Sequence, residues 1–210
     1  MGWLRDVLLG KDNGATPRYG RAQEEPDPID WSGVENLLVD LSQQSIATFA
    51  QKHKKESFYG LGFDCNSSEG QVLLCLNTRE LQRAAAAKVY PVYSSLPSTE
   101  NLRIASAEWS FGAWGYHGFN LRQRAWGTAW KSVEARVSAS QFMLVTNNRL
   151  EAMTSLQEAF MRMAAKALVR VASGTAVDEL RRDVDFRVLC MDHDESPEAG
   201  FRRLASLRAP

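Results

Sequence analysis

Cysteine and histidine are scarce in this chain, three of each among 210 residues, and each scarcity closes off a class of chemistry. Cys65, Cys75 and Cys190 are an odd number without a C-x-x-C pair, so the spacing spells neither a disulfide framework nor a metal knuckle. A reducing compartment is the simpler reading. A multi-histidine metal site needs His53, His117 and His193 all to gather. Net charge is lacking too, since 25 Lys and Arg balance 25 Asp and Glu and leave no field that favours a phosphate backbone or an anionic membrane. No nucleic-acid partner is expected. Long apolar runs are missing: nothing approaches the roughly 18 residues that a membrane-crossing helix requires. The stretch Met1 to Gly10 is too short and too charged for a secretory signal, and Asp6 stands where a myristoylation signal needs Ser or Thr. The expectation is a cytoplasmic protein with no membrane partner.

Catalytic signatures are also missing. There is no G-x-S-x-G elbow and no cysteine in a local catalytic signature, and Gly60 with Gly62 lacks the third glycine and helix start of a phosphate loop. The tetrad Asp192-His193-Asp194-Glu195 offers oxygen and imidazole ligands, but neighbours on an extended chain point to opposite sides and cannot simply converge. It reads as a solvated acidic turn that also caps the last helix. No cofactor, no metal and no catalytic residue is expected, and the chain reads as a non-enzyme.

What is present is an ordinary globular composition, 44% hydrophobic and 24% charged. One domain of this length buries roughly 70% of its unfolded surface. Residues 1–28 combine an amphipathic start at Trp3, Leu4, Val7 and Leu8 with Gly10, Gly14, Pro17, Gly20, Pro26 and Pro28, a linker composition. The domain proper is expected over 29–210. Ser32 with Glu35 makes a capping box ahead of Val34, Leu37, Leu38, Leu41 and Phe49 at helical spacing, which predicts a helix over 32–53.

Phe58 to Phe63 and Val72 to Leu76, parted by Asn66 to Gly70, predict a hairpin. A symmetric loop sets Cys65 opposite Gln71 and Cys75 opposite Leu61, so a hairpin disulfide is disfavoured. In that register Tyr59, Leu61, Phe63, Leu73 and Cys75 share one face, with Gly60, Gly62, Val72, Leu74 and Leu76 on the other. Both faces are apolar, which places the hairpin inside a covered sheet. Asn77 or Thr78 caps a helix through Ala84 to Ala87 that Pro91 ends, and residues 126–140 read as helix. Phe142 to Val145 fits strand or helix. Asn148 with Glu151 opens a helix whose stripe is Met153, Leu156, Phe160, Met163, Ala167 and Val171, with Gly174 at its C-terminal end. Phe186 to Met191 reads as a strand, and Pro197 to Leu207 as a short helix. The sum is a single α+β domain with a small, mostly antiparallel sheet that contains a hairpin and is covered by several helices. Leu37, Phe63, Leu74, Phe160 and Leu189 are expected in its core.

The compositional outlier is Glu108 to Asn120 together with Trp126 and Trp130, which holds four of the six tryptophans between interleaved glycines. Such rings fill a core beneath a long loop, or they serve as rigid anchors on a recognition surface. Trp109, Trp114, Tyr116, His117, Trp126 and Trp130 are therefore the candidate partner-binding residues.

Asp30-Trp31, Phe58 to Asp64, Gly70 to Thr78, Ala107 to Asn120 and Leu189 to Glu195 occur in an order that resembles the bacterial domain-of-unknown-function family 4303, over about residues 29–207. The resemblance implies a stand-alone cytoplasmic protein of mixed α and β structure without assigned catalytic residues. It further implies company with toxin-immunity or secretion-system genes. The expected function is an immunity-type protein that binds and neutralises a cognate toxin or effector domain, its partner a protein. Two alternatives stand beside it: a small-ligand or glycan-binding module built on Trp109 to Trp130, and an enzyme of dispersed residues with His117 or His193 as base. The neutral charge balance weakens a nuclease as the toxin in question.

Overall fold

The computed structural model describes residues 28–80, 117–119, 124–193 and 195–207. Most of the N-terminal segment and linker, the helix expected through Ala84 to Ala87 and most of the aromatic segment lie outside these residues. Helix α1 (Trp31–Lys52) begins one residue before the predicted capping box. Its cap is Asp30, whose carboxylate accepts the Gly33 N–H at 3.0 Å. Glu35, free of that duty, accepts from Arg170 at 2.8 Å and ties α1 to a later helix.

Strands β1 (Phe58–Asn66) and β2 (Gln71–Thr78) form the expected hairpin, but its register differs by one residue. The loop is Ser67 to Gly70, so Asn66 faces Gln71, Cys65 faces Val72 and Cys75 faces Gly62. Gly70 closes this shorter loop at φ 68, a conformation that costs glycine little. Because side chains alternate, the slip exchanges the faces of β2 relative to β1. Leu61, Phe63, Cys65, Val72, Leu74 and Leu76 now share the main core, while Cys75 joins a smaller cluster with Leu73, Leu189 and Met191. The three cysteines are free and buried.

Strand β3 (His117–Phe119) pairs antiparallel with β2, and β4 (Arg182–Asp192) pairs parallel with β1, which gives a four-stranded sheet in the order β3-β2-β1-β4. Helix α2 (Arg124–Thr146) absorbs the ambiguous Phe142 to Val145. Helix α3 (Leu150–Ala172) starts at a backbone cap on Arg149, not at an Asn148 side chain, and is followed by the short α4 (Thr175–Asp178). Helix α5 (Pro197–Ser206) packs on β4. One core joins α1, α2 and α3 to the sheet, and Phe63, Leu74, Phe160 and Leu189 lie in buried positions as expected. Leu37 is only partly buried, because the stripe of α1 centres on Leu38, Leu41 and Ile46. The architecture is the expected α+β domain. Among the described residues no helix is long and apolar enough to cross a membrane.

Candidate functional site

Trp109, Trp114 and Tyr116 lie outside the described residues. His117 opens β3, paired with Leu76, and Trp126 falls in the first turn of α2. Trp130 is a core residue and not an exposed anchor: it is 1% exposed, and its indole N–H donates to the Gly70 carbonyl at 2.9 Å. Burial of so large a ring satisfies its one polar atom at the hairpin turn, as a buried indole requires.

Of the acidic tetrad, Asp192 and Glu195 are half-buried and engaged by partners other than the start of the last helix, while Asp194 lies outside the described residues. Asp192 accepts from the Ser67 N–H at 3.2 Å, from the Ser67 hydroxyl, and from the His193 N–H at 2.9 Å. Glu195 accepts the Asp192 N–H at 3.1 Å and holds both guanidinium nitrogens of Arg203, one of them at 2.8 Å. The cap of α5 is Ser196, whose hydroxyl accepts the Ala199 N–H. Burial alone pushes the Glu195 carboxyl up, but the Arg203 bond and the Asp192 N–H outweigh it and hold the group below the usual carboxylate range. His193 is exposed, and among the described residues no group of His, Cys, Asp or Glu is placed to hold a metal.

Asp64, on the opposite sheet face from Phe63, is pushed up by burial and by Asp192, against the opposing pull of His193. Burial, then the bond to Cys190, raises the Cys65 thiol well above its ordinary value, which suits a packed thiol and not a nucleophile.

A cleft of about 700 Å³ runs beside β4, lined by Ala172 and Ser173 of α3 and its end, by Arg182, Phe186, Arg187 and Val188 of β4, and by residues of α5 that include Phe201 and Leu204. Phe186, Arg187 and Val188 are consecutive, so their side chains alternate between sheet faces, yet all three line it. The cleft therefore follows the outer edge of the strand. Among the described residues, its lining holds two guanidinium groups and no carboxylate. Arg182 sits 5.9 Å from the Phe186 ring centre and reaches Asp178 at 3.1 Å on the rim. Just before the cleft, four residues of β4, Asp183 to Phe186, stand against the single Tyr59 of β1, and Val184 at this bulge is 99% exposed. Arg79 pins the bulge through Asp183 and Asp185 at 2.5 and 2.8 Å. None of these residues was singled out from the sequence. The available signal was the alternation of Asp183, Asp185 and Arg187 with Val184, Phe186 and Val188 ahead of the continuous Leu189-Cys190-Met191. No family model, characterised protein or solved structure matches this chain.

Proposed function

We propose that the protein is a non-enzymatic binding protein whose partner is another protein, and that it acts as an immunity-type factor neutralising a cognate bacterial toxin or effector domain. The observation that carries this reading is the cleft beside β4, with its floor of Phe186, Val188, Phe201 and Leu204 and its two arginines. Aromatic and arginine side chains at the edge of a concave apolar surface are the groups that dominate protein-binding hot spots. The resemblance to family 4303 supports the finer part, the toxin partner. A small-ligand module is the second reading, because the cleft volume lies in the roughly 300–1,000 Å³ range of small-molecule sites. A groove along a strand edge matches the repeat of a chain better than the outline of a compact molecule.

The test is to co-express the protein with the toxin candidates encoded beside its gene, in a host whose growth they arrest, and to titrate each purified pair calorimetrically. Restored growth together with a Kd on the order of 10 nM supports the reading. Absence of binding to every candidate, or turnover of a substrate by the protein alone, overturns it.

A further inference from the structure

Backbone groups along β4 alternate in direction, and three hydrogen bonds fix the phase. The His193 N–H donates inward to the Cys65 carbonyl of β1 at 2.7 Å. The Cys190 carbonyl accepts from Arg203 of α5 at 3.2 Å, and the Asp192 N–H donates to Glu195 at 3.1 Å, so both of these even-numbered residues point outward. In an extended strand the N–H and C=O of one residue share a side, and the side changes at each residue. Val188 accordingly directs its N–H and C=O away from β1, and so does the Phe186 carbonyl, which lies opposite the Arg187 N–H in the peptide where the regular pairing begins.

The two stretches of this edge are treated differently. At Cys190 and Asp192 the bonded pair Glu195 and Arg203 supplies one acceptor and one donor in place of a neighbouring strand. Helix α5 comes this near because Gly200 carries no side chain, and a Cβ there would stand 2.7 Å from the Cys190 carbonyl oxygen. At Phe186 and Val188 the edge instead opens into the cleft, and no described group outside the sheet bonds to either backbone. An unpaired edge of alternating donors and acceptors is a template for a further strand.

We propose that the outer edge of β4 at Phe186 and Val188 accepts an extended segment of the partner protein as an added strand, and that this segment alternates apolar side chains with carboxylates. The proposal rests on the reading of the protein as a protein-binding factor and names how the partner is held. Main-chain bonds fix the segment, Phe201 and Leu204 with Val188 receive its apolar side chains, and Arg182 and Arg187 face its carboxylates, in a lining that contains no acid among the described residues.

The test uses the intact protein and synthetic peptides of about six residues that alternate valine and glutamate, blocked at both ends. Calorimetry gives affinity, and amide exchange followed by NMR gives location. The parent peptide is expected to slow exchange at Val188 about tenfold. N-methylation of the peptide at alternate residues should weaken binding about tenfold in the phase that faces the edge, and little in the other phase. A valine–lysine peptide should bind the protein more weakly, and Arg187→Glu should reverse that preference. No binding at millimolar peptide, equal binding by both methylated forms, protection elsewhere but not at Val188, or indifference to the charge of the peptide would each overturn the proposal. The peptides address the edge alone. A protein that neutralises its toxin while ignoring them keeps the immunity reading and loses this one, and peptide binding without any toxin partner does the reverse.

Discussion

The Gly70 carbonyl oxygen and the Trp130 indole nitrogen lie 2.9 Å apart, which locks the first turns of α2 against the hairpin loop. Gly70 is held there twice, by φ 68 and by a neighbour, since a Cβ would come 2.8 Å from Val137 Cβ on the same helix. Trp130→Phe should cost about 1–3 kcal/mol by orphaning the carbonyl, and Trp130→Ala about 3–5 kcal/mol. Gly70→Ala should cost on the order of 2–4 kcal/mol through the left-handed backbone and the clash. Urea unfolding reads all three. A loss below about 1 kcal/mol for Trp130→Ala would return this residue to the surface anchors.

A second close relation binds α1 to the end of α3. Gln43 donates to the Val171 carbonyl at 2.8 Å and accepts the Ala176 N–H at 3.1 Å, so one amide spans the gap between α3 and α4. A Cβ on Gly174 would stand 1.8 Å from its nitrogen. The backbone at Gly174, φ −90 and ψ 157, suits any residue, so the whole penalty of Gly174→Ala comes from displacing Gln43. The expected loss is about 1–3 kcal/mol. In a double-mutant cycle Gln43→Ala should absorb it, leaving the double variant no worse than Gln43→Ala alone. Additive losses would show that Gly174 matters for another reason.

Gln141 is 6% exposed, and its amide nitrogen has no hydrogen-bond partner among the described residues. An unpaired buried amide costs more than an apolar group of similar shape. Gln141→Met keeps the volume and should raise stability by about 1 kcal/mol, read as a shift of the denaturation midpoint without a change of slope. Destabilisation by a similar amount would mean that the amide finds a partner in solution.

How far the sequence carries differs from element to element. The hairpin, α1, α3 and β4 follow from apolar spacing, which tertiary packing here reinforces, and α5 from the proline at its first position. The register does not follow, because Asn66 can end a strand or begin a loop, and only the closure at Gly70 decides between them. Trp130 was legible in part: Trp130, Val133 and Val137 recur at the spacing of one helix face, and all three are buried. Its aromatic neighbours drew it instead into a recognition segment. The cleft was not legible as a site. The alternation along Asp183 to Val188 marks the half-open part of β4, but the wall opposite comes from α5, and no local pattern tells which edge a helix will cover. Glu195 misled for a related reason, since Arg203, eight residues beyond it, claims its carboxylate across the turn.

That ion pair yields the last prediction. The folded-state pKa of Glu195 lies below its ordinary value of 4.5, so its ionised form favours folding. The contribution is present at pH values above the ordinary carboxylate range and is lost as pH falls through the depressed folded value. Glu195→Gln keeps the shape and removes the charge. It should cost on the order of 1 kcal/mol near neutral pH, a modest figure because both partners remain partly in water. Asp64 supplies a contrast of opposite sign. Its folded pKa lies above 3.8, so the ionised group costs stability as pH rises through the raised value. Asp64→Asn should therefore stabilise at neutral pH. Denaturation curves recorded between about pH 3 and pH 7 should show both differences shrinking toward acid from opposite sides of zero. Without Glu195, moreover, Arg203 loses the group that orients it on the Cys190 carbonyl, and amide exchange at Asp192 should quicken in the Glu195→Gln variant while that at Leu189, bonded inward, stays slow. Equal acceleration at both amides would mean that the pair does not stand in for a strand.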